Sequence, residues 1–159
     1  MDTKAFREGF RDGIPIGLGY LAVSFSLGIS AKQAGLTPLQ GFVTSFLENA
    51  SAGEYIAFTL IGAGATYIEL CLMTIIANAR YLLMSCAMSQ RFSPDTPMIH
   101  RFLVAFDLTD ELFGIAIGRP GYLNPYYSYG AFLVALPGWS IGTLSLIHIS
   151  EPTRRTPIS

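Results

Sequence analysis

LQGFVTSFLENASAGEYIAFTLIGAGA, Leu39 to Ala65, is apolar at both ends and interrupted near its middle by ENASAGEY, Glu48 to Tyr55. Read as one helix, the stretch crosses an apolar layer once. Read as two half-helices broken at ENASAG, it dips in and returns to the side it came from. The choice sets the direction of every later segment.

Composition shows which solvent surrounds the stretch. Of 159 residues, 51% are hydrophobic and only 13% charged, against roughly a quarter charged in an ordinary soluble domain. That is too little charge to cover a surface in water. A net charge of −1, with Lys and Arg forming no basic stripe, excludes a nucleic-acid partner. Cys71 and Cys86 lie in apolar runs and read as buried thiols, with no disulfide framework and no CxxC site.

A hydrocarbon core about 30 Å thick needs roughly 20 apolar helical residues to cross it. Gly13 to Ala31 carries no charge and is the cleanest such span. It lacks the short core and small-residue cleavage site of a signal peptide. Further apolar regions run over Leu39–Ala65, Thr66–Met88, Phe102–Gly118 and from Tyr126 onward. KQAGLTP, QRFSPDTP and GRPGYLNP punctuate them with helix-ending residues. The expected fold is an all-α integral membrane protein, a polytopic helical bundle with a broken or re-entrant hairpin in the second apolar region.

Positive charge in short loops is retained in the cytoplasm, so Lys4, Arg7 and Arg11 put the N-terminus inside. If every region crosses, Arg91 and Arg101 fall outside and the bias nearly vanishes. If Leu39–Ala65 folds back, those two join the first three inside, leaving Lys32 and Arg119 outside. Charge therefore favours the hairpin. Irregular backbone at that depth is tolerated only where protein buries it or a cavity receives it, so the hairpin also implies a site.

The ionisable residues within these regions are the candidates for that site. On a continuous helix over Phe102–Gly118, Asp107 and Glu111 stand one turn apart on one face with Asp110 beside them, and His100 lies on that face two turns earlier. Arg80 calls for an acid on another helix or a substrate carboxylate, since Glu69 is three turns away. Asn78 points about 200° round from Arg80 on an ideal helix, so both reach one cavity only if the helix unwinds there. Glu48 and Glu54 flank the ENASAG break; a half-helix starting near Gly53 would offer free N–H groups to an anion, while a loop capped by Asn49 and Ser51 is the structural alternative. Gly13, Gly17 and Gly19 around Pro15 suit a kink or close helix packing. The tyrosines read as interfacial or core aromatics. With His100 as the one nitrogen ligand near the acids, no metal site or cofactor is indicated.

Four segments in order, FREGFRDGIPIGLGYLAVSFSLGISAKQAGLTPLQ (Phe6–Gln40), NASAGEY (Asn49–Tyr55), NARYLL (Asn78–Leu83) and LTDELF (Leu108–Phe113), resemble the AzlC family over about residues 5 to 143. That family is the large subunit of bacterial branched-chain amino-acid exporters, working with a small AzlD-like membrane subunit. The resemblance implies a permease of the bacterial cytoplasmic (inner) membrane, multi-pass, exporting branched-chain or related amino acids along an ion gradient, and not an enzyme. By position, Ala50–Tyr55 resembles the family's FAGxxQ-like segment, Asn78 and Arg80 its N-x-R, and Thr109, Asp110 and Glu111 its T-D-E. Glu48-Asn49 departs from a usual apolar pair and Glu54 from glutamine, which bears on substrate range. The rival readings are a non-transporting membrane scaffold or binding subunit and an intramembrane enzyme; the latter needs acids from two helices, whereas Asp107 and Asp110 share one.

LSLIHISEPTR, from Leu144, resembles the translation of a transposase-type sequencing adapter. Residues 1–143 are accordingly read as a truncated membrane domain, and Leu144–Ser159 is set apart from function.

Overall fold

The computed structural model describes residues 2–149; 150–159, most of the stretch set apart above, lies outside the described residues. The described chain is helical, with no strand: α1 Thr3–Gln33, α2 Pro38–Glu48, α3 Ser51–Gly62, α4 Tyr67–Ala77, α5 Arg80–Ser89, α6 Met98–Phe106, α7 Asp110–Ile117 and α8 Pro125–Ile149. Leu144–Ile149 continue α8.

α1 and α8 form a spine, and they run parallel. Gly9 lies against the backbone of Tyr127, Gly13 against Ala131, Gly17 against Val134, and Gly142 against Leu21 and Ser24, so both numbers rise together. A Cβ on Gly13 would stand 2.7 Å from the Ala131 carbonyl oxygen. One glycine per turn thus lets two backbones touch. Gly19, grouped with Gly13 and Gly17 on sequence, faces open space instead.

At the N-terminal end of the spine, Arg119 bonds Glu8 at 2.5 Å and stands 3.8 Å from Asp12, while the Tyr127 hydroxyl donates to Asp12 at 2.8 Å. Burial works against the Arg119 charge, but the Glu8 carboxylate and the Tyr127 hydroxyl more than offset it and raise its pKa. The loop before α8 is thereby tied to the first turns of α1.

Between the spine helices the chain makes two hairpins of opposite sense. α2 begins beside the C-terminal end of α1 and descends along α8, its Ser45 hydroxyl 2.9 Å from that of Thr143. α3 climbs back along α1, packing Phe58 with Leu27 and Ala31 and setting Gly62 against Ala34. The second apolar region therefore enters and leaves at one end. Its break is made by Asn49, at φ 39°, a left-handed conformation that Asn tolerates better than most residues.

α4 packs on α3 and descends; a 49° bend separates it from α5. α5 reaches the opposite end, where Met88 and Phe92 join a cluster with Ala5 and Tyr127. From there α6 climbs along α8, His100 against Tyr126 and Tyr129, Phe106 against Phe132. α7 then descends along α1, from Glu111 beside Tyr20 to Arg119 beside Glu8. The Leu123 N–H bonds the Arg91 carbonyl at 2.7 Å, closing this hairpin at the end where α5 stopped.

Phe102–Gly118 is therefore not one helix, contrary to its apolar run. Thr109 caps a new helix by accepting the Leu112 N–H at 3.3 Å, and the acids behind it suit that helix's N-terminus. Arg119 consequently sits at the same end as Lys4, Arg7, Arg11, Arg91 and Arg101, not with Lys32 as the one-hairpin reading expected. Cys71 and Cys86 are also corrected: both are exposed, because α4 buries no residue and α5 only Met88. Among the described residues α1 alone is long and apolar enough to cross a membrane, and α4 with α5 passes as a bent pair.

Candidate functional site

Three interruptions of helix meet about halfway along the spine: Asn49–Ala50 between α2 and α3, Asn78–Ala79 between α4 and α5, and Asp107–Thr109 between α6 and α7. Tyr20, near the middle of α1, and Trp139 of α8 stand between them with rings edge to face at 5.1 Å. The cleft they enclose is small, about 50 Å³, and partly open. Asn49 and Ser51 line it from the first hairpin, Asp110 and Glu111 from the second, with Tyr81 from α5.

The α7 side is largely tied. The Tyr20 hydroxyl lies 2.5 Å from the Thr109 hydroxyl and 2.6 Å from the Glu111 carboxylate. Arg80 bonds Asp110 at 2.7 Å and lies over the Tyr81 ring at 5.3 Å. Arg80 and Asp110, chosen separately on sequence, are thus partners on different helices. The unwinding at Asn78–Ala79 frees Asn78 to point elsewhere, and its amide donates to Glu48 at 3.4 Å.

The α3 side is less satisfied. α3 begins at Ser51, two residues before the start expected at Gly53, and Ala50 at its N-cap supplies no side-chain bond. Asn49 is 7% exposed, yet neither its amide nitrogen nor its amide oxygen has a partner. Glu54 is fully buried; the Trp139 indole donates to one carboxylate oxygen at 2.7 Å and the other has no partner. Gly53 passes so close to the ends of the Glu48 and Asn78 side chains that a Cβ would have to push them aside. Glu48, Gly53, Glu54 and Asn78 therefore stand behind the cleft wall.

Asp107 is the candidate the structure separates from the rest. It is buried at the C-cap of α6, outside the cleft, because the helix that would have aligned it with Glu111 ends there. Glu69 is occupied in a reciprocal cap with Thr66. His100 bonds the Tyr129 hydroxyl at 2.8 Å, at the base of the second hairpin.

Tyr20, Tyr81 and Trp139 were not among the sequence candidates, and Thr109 entered only through the T-D-E resemblance. Thr109 was detectable, since Thr followed by two acids and then apolar residues is a helix start. The other three are ordinary membrane aromatics in one dimension, and only long-range packing brings them to the acids.

The family model described as AzlC protein matches residues 15–148, running into the first residues of the stretch set apart above. The inner membrane protein YgaZ of Escherichia coli strain K12 is 27% identical over 139 residues, 87% of this chain and 57% of that protein. An uncharacterized membrane protein of Helicobacter pylori strain J99 is 31% identical over 158 residues, 95% of this chain and 68% of that protein. The branched-chain amino acid transport protein AzlC of Bacillus subtilis strain 168 is 27% identical over 111 residues, 70% of this chain and 43% of that protein. The chain thus spans between about two fifths and two thirds of the length of these relatives. No solved structure matches it.

Proposed function

The chain belongs to the AzlC family, and from that premise we propose that it is a multi-pass membrane protein exporting branched-chain or related amino acids. In this reading α1, the bent pair α4–α5, and α8 cross the bacterial inner membrane, and the two hairpins re-enter from opposite faces. The N-terminus lies in the cytoplasm, an ion gradient drives export, and a small AzlD-like subunit completes the transporter.

One observation carries the proposal: two opposed hairpin turns and a broken helix meet at mid-depth around a single polar cleft. Half-helices meeting at mid-membrane are a recurrent way of presenting backbone dipoles to a substrate. The cations support the orientation: of the eight described lysines and arginines six gather at the end where α1 starts, Arg80 sits at the bend between α4 and α5, and Lys32 alone lies at the other end, as retention of positive loops requires. Apolar exposure supports the medium. Tyr67, Ile68, Ile76, Leu82 and Leu83 of α4 and α5 are each more than 65% exposed, a patch that water would penalise and lipid accepts.

The test is efflux. Cells expressing the protein with its small subunit, preloaded with labelled leucine or valine, are expected to lose label faster than cells with the subunit alone. Equal retention would remove the exporter reading and leave the scaffold one.

A further inference from the structure

We propose that the cleft binds its substrate as a zwitterion in one fixed polarity: the α-carboxylate at the open N-terminus of α3 and the ammonium at Glu111. The inference rests on the export reading for its ligand class, and goes beyond it by assigning each charged group of the substrate to a residue.

The carboxylate end follows from what is left unpaired. The helices that begin at Pro38, Tyr67 and Asp110 each have a threonine cap, Thr37, Thr66 and Thr109. α3 has none, so its first-turn N–H groups and the positive end of its dipole are available to an anion. Independently, Asn49 is more than nine-tenths buried, lines the same cleft and has no partner for its amide. Leaving such an amide unsatisfied is costly, and its Nδ2 donor beside free N–H groups fits a carboxylate. The nearby acids do not occupy this position. Glu54 turns to Trp139, Glu48 lies next to the Asn78 amide, and neither lines the cleft. Arg80, the obvious rival receptor for an anion, is held by Asp110 at 2.7 Å.

The ammonium end follows from charge and rings. Glu111 is exposed to the cleft and uses one carboxylate oxygen on Tyr20. Tyr20, Tyr81 and Trp139 line the same cleft, and aromatic rings within about 6 Å attract a cation. Asp110 is neutralised by Arg80, so Glu111 carries the uncompensated charge.

Three substitutions separate the ends, two at the carboxylate end and Glu111→Gln at the ammonium end. Asn49→Asp keeps the side-chain shape and a residue that tolerates the left-handed backbone, but replaces the donor by an anion. Ser51→Pro removes one N–H at the first helical position, where proline is welcome, and follows an Ala50 already extended at φ −140°, as a residue before proline should be. Binding is measured on the purified full chain in lipid nanodiscs with three probes: leucine, isoamylamine (leucine without its carboxylate) and isocaproate (leucine without its amine). Asn49→Asp and Ser51→Pro are expected to weaken leucine and isocaproate by about tenfold or more, the worth of a charge-assisted bond, and to leave isoamylamine within about twofold. Glu111→Gln is expected to do the reverse. If leucine binds the wild type and all three variants weaken the three probes alike, or not at all, the polarity is wrong while export stands. If the wild type binds none of the probes, both readings fall.

Discussion

The two hairpin turns are built from the same parts and finished differently. At the α6–α7 turn, Thr109 caps its helix and meets Tyr20, Asp110 holds Arg80, and Glu111 accepts from Tyr20. At the α2–α3 turn, Asn49 is bonded to nothing through its side chain, Ala50 caps nothing, and one oxygen of Glu54 is orphaned. Buried polar atoms in folded proteins are nearly always paired, so a turn that violates the rule several times over is waiting for a partner. The contrast teaches that the α6–α7 half of the cleft is mostly fixture, with Glu111 alone holding an oxygen in reserve, while the α2–α3 half is left open to a ligand.

The comparison is broken most completely by removing the frame on which both turns hang. Gly130→Leu drives a side chain into the backbone of Phe6 and Phe10, where even a Cβ would stand 2.8 Å from the Phe10 nitrogen. Rigid backbone cannot yield as a flexible side chain can, so loss of folded, monodisperse protein after detergent extraction is expected. Gly19→Ala, made in open space on the same spine, is the control, and is expected to raise stability by up to about 1 kcal/mol. Equal damage from both would mean the α1–α8 seam is not the frame.

Next in size is the pair that joins the fixture to the bend in α4–α5. Arg80→Gln and Asp110→Asn are each expected to cut leucine efflux at least tenfold. Their side chains are 47% and 43% exposed, so the stability cost is expected to stay below about 1 kcal/mol, as for other solvated pairs. Transport near wild type in both would return the pair to a purely structural role, and a large loss of thermal stability would contradict its half-exposed setting.

The fold was legible where the signal was local. Glycine spacing in α1, the break at ENASAG and the poverty of charge each depend on neighbours in sequence, and each predicted its element. The second hairpin was hidden because Phe106–Phe113 reads as apolar helix with acids on one face; the helix start at Thr109 competes with that periodicity and wins because Tyr20, 89 residues away, completes its bonding. The candidate site was legible as a set of residue types and not as an arrangement. Asn49, Ser51, Asp110 and Glu111 reach the cleft, Asp107 does not, and no pattern within Phe102–Gly118 distinguishes Asp107 from Asp110 before the break is known.

Stability distinguishes the two turns more finely. Thr109→Ala removes a helix cap and the Tyr20 bond, and is expected to cost about 1 kcal/mol or somewhat more, read as a lowered Tm in detergent. Asn49→Gly deletes an amide that no side chain or backbone satisfies, and glycine accepts the 39° φ without strain. Its Tm without ligand is expected to match or exceed that of the wild type, while the stabilisation conferred by added leucine disappears, since a ligand stabilises only the state it binds. A drop for Asn49→Gly as large as that for Thr109→Ala would show that the α2–α3 turn is held together internally after all.

The gentlest perturbation asks whether the turns face opposite ways. With Cys71 and Cys86 replaced by alanine, single cysteines at Gln33 and Ala63 probe the end shared by the α2–α3 hairpin, and cysteines at Asp95 and Tyr122 the end shared by α6–α7; all four positions are exposed. None of these side chains makes a side-chain hydrogen bond in the structure, so stability should change by no more than about 0.5 kcal/mol and the label reports position alone. A membrane-impermeant maleimide is expected to reach the first pair in intact spheroplasts and the second only in inverted vesicles. The logic turns on Gln33 and Ala63 reacting together: α2 and α3 lie between them, so a shared face requires the chain to have come back. Were Ala63 to label with Asp95 instead, Leu39–Ala65 would cross, the two turns would no longer oppose each other, and the polar groups gathered at mid-depth would lose the geometry that makes them one cleft.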